Sequence, residues 1–303
     1  MLHIFSNKCE TSNKTENIET VFRSLIDENK ISYLMLSRNK SPIAMDILSK
    51  NIDKINWSSL SSNTNINAIS ILEKNIDKIN WEKLSANPNA ISILEQNLDK
   101  LDWESLATNP NAIHIIEQNI KKINFRILSK NPNAIHILEM NPYNIDWCNL
   151  SQNPNAIHIL AQHKYNIDWI ELSKNPSAIP IIEKELNENH KNNINWSNLS
   201  TNPNAISILE KYNDGIDWSK LSANPNAISI LENNIDKIDW IMLSENPNAI
   251  HILEQNLDKI NWYQLSKNPN AIKLIEQNLD KADYYALQGN SNALHLIFTD
   301  MKK

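Results

Sequence analysis

The sequence predicts an all-α solenoid of about twelve 22-residue units, each a helix of about ten residues followed by a short second helix, α or 3-10. Three observations predict it. Trp57, Trp81, Trp103, Trp147, Trp169, Trp196, Trp218, Trp240 and Trp262 mostly fall 22 residues apart, and Phe125 stands in the middle of the one double gap. The words around them recur, as "SANPNAISILEQN" from Ser85 and "SANPNAISILENN" from Ser222. The apolar residues between aromatic markers follow the i, i+3, i+4, i+7 spacing of one helix face. Such a period means stacked layers, because one unit cannot bury its own apolar face.

Residues 1–32 fit the unit poorly and read as an N-terminal capping segment, with "VFRSLIDENK" at 21–30 as an amphipathic capping helix. The repeats then run over residues 33–287, opening on Tyr33 and closing on Tyr284 as aromatic substitutes. Within a unit, Asn87 followed by Pro88 starts a helix, since Asn is a strong N-cap and Pro is favoured at the first helical position. Ala90, Ile91, Ile93, Leu94 and Leu98 form its apolar stripe. Asp102 before Trp103 is a second N-cap, and Trp103 and Leu106, three apart, face the same way. The next Asn-Pro stops this short helix, because the residue before Pro is driven out of the α region. The recurrent Ser, as at Ser85, is expected to bond a backbone group at the end of the short helix. Stacking should bury the Trp between layers, and a Trp burying ~150–250 Å² gains roughly 4–6 kcal/mol gross.

The copying is irregular over residues 121–193. Phe125 replaces Trp, Pro142 and Tyr143 enter one inter-helix link, and Tyr165 enters the next. His163 replaces an Asn, Pro180 lies inside a predicted helix, and five extra residues fall near 184–193. Residues 288–303 read as a C-terminal cap, since Gln288, Gly289 and Ser291 depart from the unit.

A competing horseshoe of leucine-rich repeats has a similar period, and Leu98-x-x-Leu101-x-Trp103 imitates its strand. Leu106 stands where that fold wants Asn, and Asn-Pro-Asn-Ala-Ile starts a helix too early for it. The alternation of a helix with a very short one is similar in architecture to the leucine-rich repeat variant solenoids. The phrase W-x-x-L-S-x-N-P-N-A-I-x-x-L-E, as in "WEKLSANPNAISILE" from Trp81 and "WSKLSANPNAISILE" from Trp218, resembles repeat proteins of giant DNA viruses of protists. The likeness covers roughly residues 33–298. It implies a repeat scaffold, and with it a viral protein of the host-cell cytoplasm or the virion. It implies no catalytic residue.

Composition narrows the chemistry. With only Gly215 and Gly289 as glycines, a glycine-rich phosphate loop is excluded. Cys9 and Cys148 have no metal-like spacing, so no structural zinc or disulfide framework is expected. No apolar run is long enough for a membrane helix. The net charge is −6 with Lys and Glu interspersed, which offers nucleic acid no basic stripe. His114, His136 and His158 share one register position, repeated at His251 and His295. Stacked helices 8–10 Å apart would hold these too far apart for one metal ion, so the position reads as a solvated face. The recurrent Glu reads likewise, as locally bonded or solvated.

The expectation is therefore a non-enzymatic monomeric scaffold with no cofactor, binding another protein. A structural component of a particle is the alternative, and single-stranded nucleic acid a weaker one. The partner surface is expected at Tyr143, Tyr165, His114, His136, His158 and His163. The nine Trp residues and Phe125 are assigned a structural role.

Overall fold

The computed structural model describes residues 31–300, with side chains for 31–297. The expected capping helix at 21–30 lies outside the described residues. Among them the chain is helical throughout, with no strand. Twelve short helices carry the aromatic marker near their N-terminus, from Tyr33–Arg38 to Tyr284–Gly289. Each is followed by a second helix, such as Ile91–Glu95 or Ile228–Glu232, and most units end in a one-turn 3-10 helix such as Ile235–Lys237.

In the units that carry Asn-Pro-Asn-Ala, the stretch expected as one ten-residue helix is divided. Ala90, not Asn87, is the residue that precedes the α-helix, and the Asn-Pro-Asn-Ala segment forms a separate turn. In that turn the Asn87 side chain accepts from the Asn89 N–H, and Ala90 N–H donates to the Asn87 carbonyl. The local bond of an Asn side chain to the backbone two residues on competes with the helix and delays its start. The short helix behaves as its sequence requires. Asp102 accepts from the Ser105 N–H, and Asn80, Asp217 and Asn261 do the same in their units.

One apolar core runs through all units. It is built from the Leu after each aromatic marker, the Ala of Asn-Pro-Asn-Ala and the Ile-Leu pair of the second helix. Leu84, Ala90 and Leu94 are fully buried. The Trp residues pack against this core and are partly buried, where the expectation was a fully buried wedge. Over Trp81, Trp103, Trp218, Trp240 and Trp262 a lysine of the following 3-10 turn lies on the ring. Lys122 Nζ lies 4.3 Å from the Trp103 ring centroid, Lys237 4.6 Å from Trp218 and Lys259 4.7 Å from Trp240.

Between units the backbone is tied by polar side chains that are themselves buried. The Asn of each Asn-Pro donates both amide hydrogens to the preceding unit: Asn153 Nδ2 lies 3.1 Å from the Ser129 carbonyl and 2.9 Å from that of Asn131. The recurrent Ser donates to the carbonyl of its own Trp and accepts the N–H of the next unit's cap, as Ser151 does with Trp147 and Asp168. Among the described residues no buried side-chain nitrogen or oxygen lacks a partner. That is what a polar ladder inside a core requires.

The same ladder closes the molecule on itself. Tyr33–Arg38 of the first unit packs against Tyr284–Gly289 of the twelfth. Asn39 Nδ2 donates to the Gln288 carbonyl at 2.8 Å, the bond that every other unit makes with its predecessor. Gln288 stands in the Ser position, and its Oε1 accepts the Ser32 N–H at 2.6 Å. Gly289 lies where a Cβ would meet the Met35 methyl at 2.6 Å. The residues 288–297, read from sequence as a cap, thus complete the twelfth unit and join it to the first. The described units form a closed ring.

Candidate functional site

The ring departs most from its repeat over residues 121–193, and the candidate site lies there. Tyr143 sits in the 3-10 turn Pro142–Asn144 and Tyr165 in the turn Lys164–Asn166. They occupy the same register position in successive units, and both are fully exposed at 102%. A tyrosine in solvent leaves its ring unburied, and two aligned in this way make an aromatic edge.

Beside Tyr143 the surface opens into a groove of about 530 Å³, lined by Glu139, Pro142, Trp147, His158, His163 and Asn166 among others. It gathers Tyr143, His158 and His163 of the expected partner residues. Tyr165 projects one unit further on, and His114 and His136 lie in earlier units. The His163 ring leans on Trp147, with centroids 5.1 Å apart and planes tilted by 52°. The register-equivalent groove over Trp218, three units later, measures only about 180 Å³.

The histidine register does not form a metal ladder. Each His pairs with the Glu of the preceding unit: His114 Nε2 lies 2.7 Å from Glu95, His136 2.7 Å from Glu117 and His158 2.8 Å from Glu139. These pairs link neighbouring units at a half-exposed surface, where an ion pair contributes little to stability.

The five extra residues build a structure that sequence reasoning missed. They lengthen the second helix to Ile179–Asn187, and Pro180 sits in its first turn, where it costs no hydrogen bond. The helix ends on Asn189 with φ 62°, a left-handed conformation that Asn tolerates. The His190 N–H then returns to the Glu185 carbonyl at 3.1 Å and the Asn189 N–H to that of Leu186 at 3.1 Å, the paired bonds of a Schellman stop. This brings His190 Nδ1 to 3.2 Å from the Glu185 carboxylate. Glu185 is 2% exposed and takes Lys164 Nζ of the preceding unit at 2.8 Å and Asn193 Nδ2 at 2.7 Å. Burial pushes the Glu185 carboxyl up, but the bonds from Lys164 and Asn193 outweigh it and hold it below the usual range. The pattern Glu-x-x-Glu-Asn-His from Glu185, with a lysine one unit back, was the available signal.

Glu185, Glu188 and His190 lie close enough to hold a metal ion. Lys164 Nζ lies 2.8 Å from both carboxylates, so the positive charge that this cluster needs is supplied by the protein itself. Cys148 is an exposed free thiol. Burial and a hydrogen bond with Asp168 push it up, away from the thiolate that a nucleophile would need.

No described helix is long and apolar enough to cross a membrane. Comparison with protein-family models, with curated proteins and with solved structures finds no match to this chain.

Proposed function

We propose that the chain is a non-enzymatic repeat scaffold that docks another protein on its irregular arc. The observation that carries the reading is the aligned pair Tyr143 and Tyr165, fully exposed beside an open groove. Exposed aromatic residues next to a concave surface are the anchors that protein interfaces favour. The grooves and clusters around them offer binding surface and paired charges, with no nucleophile and base held together. By the resemblance to giant-virus repeat proteins, the proposal extends to a role in the host-cell cytoplasm or in the particle. Closure of the ring occupies the stacking faces of the first and last described units, which favours a discrete docking platform over end-to-end assembly.

Photo-crosslinking tests this. A crosslinker placed at Tyr143 or Tyr165 should capture a defined partner in native cells, and one at Asp236 or Asp258 on the regular arc should not. The double variant Tyr143→Ala, Tyr165→Ala should weaken that partner by more than ~1 kcal/mol while melting is unchanged. Equal capture from both arcs, or none from either, would remove the irregular arc as the docking surface. Mass spectrometry of purified particles separates a resident structural component, present in many copies, from an adaptor that stays in the cell extract.

A further inference from the structure

The chain carries its own record of what its surface grooves accept. In six units a lysine of the 3-10 turn lies over the aromatic ring of the preceding short helix. The distances run from 4.3 Å for Lys122 on Trp103 to 5.3 Å for Lys100 on Trp81. Lys54 on Tyr33, Lys237 on Trp218, Lys259 on Trp240 and Lys281 on Trp262 complete the set. An ammonium in this place is attracted by the negative face of the ring, and its alkyl stem covers apolar surface that would otherwise meet water.

Over Trp147 the register position of that lysine is Asn166. Asn has neither the stem nor the charge. The groove there is correspondingly about 530 Å³, against about 180 Å³ at Trp218, where Lys237 is one of the lining residues. Part of the lining is shared between the two grooves: Glu139 matches Glu210, Ile145 matches Ile216 and Ile159 matches Ile230, while His158 and His163 replace Ser229 and Asn234. The enlarged groove thus keeps the ring, the apolar walls and the carboxylate, and lacks the lysine. Tyr143 extends its outer wall, where Asp214 stands in the regular unit.

We propose that the groove over Trp147 receives a lysine or arginine side chain of the partner protein, which takes the place that the chain's own lysine takes elsewhere. This rests on the protein-binding reading above. The charge fits: Glu139 places a carboxylate at the wall. Selectivity comes from the ring and the carboxylate together, since an apolar side chain gains from the first alone.

The test uses the full chain and three nine-residue Gly/Ser peptides with Lys, Arg or norleucine at the centre, read by the indole N–H resonances. Trp147 is assigned through Trp147→Phe. The Lys and Arg peptides should shift the Trp147 resonance saturably while leaving Trp240, already covered by Lys259, in place. They should bind about fivefold more tightly than the norleucine peptide, the ratio that one desolvated cation–aromatic contact supports. Asn166→Lys should fill the groove from within and reduce peptide binding at least about tenfold, with melting no lower than in the parent chain. Lys237→Asn should open a second groove, so that the same peptides begin to shift Trp218. Equal binding of norleucine and lysine peptides, or unchanged binding to Asn166→Lys, overturns the proposal. So does a Trp147 shift that grows with protein concentration alone, which would assign the groove to a second copy. Running Asn166→Lys in the crosslinking experiment separates the two readings. A partner captured equally by both chains overturns the lysine pocket and leaves the docking surface standing; no partner on the parent chain removes the docking surface, and the peptide titration still decides the pocket.

Discussion

Replacing Asn153 distinguishes a helix cap from a structural tie between layers. As a cap, its side chain would be worth ~1 kcal/mol, and Asp would substitute with little loss, since both accept a backbone N–H. The structure assigns it more. Asn153 is fully buried and makes three bonds, accepting from the Asn155 N–H at 3.0 Å and donating to the Ser129 and Asn131 carbonyls. In Asn153→Ala the exposed Asn155 N–H can turn to water, and the Asn131 carbonyl keeps the Ala134 N–H at 3.2 Å. The Ser129 carbonyl loses the amide that satisfies it inside the core. An unsatisfied buried carbonyl costs ~1–3 kcal/mol, so with the lost cap the total is about 3 kcal/mol. Asn153→Asp should be worse than Ala at pH 7, because a carboxylate only accepts and would face two carbonyl oxygens. Urea unfolding followed by Trp fluorescence gives the stability, and hydrogen exchange locates the loss in the units around Asn131, Asn153 and Asn175. An Asp variant within ~1 kcal/mol of the parent would refute the ladder and return the residue to a simple cap.

Other substitutions read the same physics. Trp218→Ala should cost about 2 kcal/mol, below the ~3–5 kcal/mol of a fully buried aromatic, because the side chain is only partly buried and Lys237 supplies part of the cover; thermal melting decides between the two values. Gly215→Ala should destabilise by ~1–3 kcal/mol, since its Cβ would lie 2.5 Å from the Trp196 ring, whereas Gly289→Ala meets only the movable Met35 methyl and should cost less. Lys164→Met should leave the buried Glu185 without its cation and move its carboxyl from below the usual range to above it, as followed by carboxyl NMR titration. The sign follows for stability. A depressed Glu185 contributes above its unfolded pKa of about 4.3 and loses that contribution as pH falls through its folded value, so the parent insertion should loosen in acid and the Lys164→Met variant should not loosen further there.

The repeat, the two helices of each unit and the Asp or Asn cap before each Trp were legible because they depend on neighbours in sequence. The recurrent Ser was expected to bond the end of its own short helix and instead donates to the Trp carbonyl at its start, one turn back. Its second role, accepting the next unit's N–H, depends on a residue about 17 positions away and was not legible. The split of the predicted ten-residue helix turned on a contest between two local conformations, which the Asn side chain wins by bonding Asn89 N–H. The partial exposure of Trp was missed because the lysine that lies over its ring comes 19 residues later, at the far end of the same unit. At the candidate site, Tyr143 and Tyr165 were legible as departures from a regular text. The groove was not, because it is built from side chains of two units, Glu139 and Tyr143 of one and Trp147, His158 and Asn166 of the next. Glu185 looked like one more surface carboxylate, and only the Schellman stop and Lys164 one unit back make it a buried hub. Ring closure is the hardest to read. It needs a mean rotation of about 30° per unit, a full turn shared among twelve, and curvature of this kind comes from small differences in packing between the two helix layers. Its traces in the sequence were Gln288 and Gly289, which look like decay of the motif and are the residues that fit the last unit to the first.

The most direct test of the closed ring is a distance between its first and last units. Lys40 and Ser291 are exposed and occupy equivalent register positions in those units. Spin labels at Lys40→Cys and Ser291→Cys, in a chain with Cys9 and Cys148 replaced by Ser, report that distance by electron–electron resonance. Closure places the two units at neighbour spacing, so the labels should lie roughly 10–20 Å apart with a narrow distribution. An open solenoid of twelve layers at about 9 Å each would set them on the order of 100 Å apart along a straight stack, and a separation beyond about 40 Å would contradict the ring.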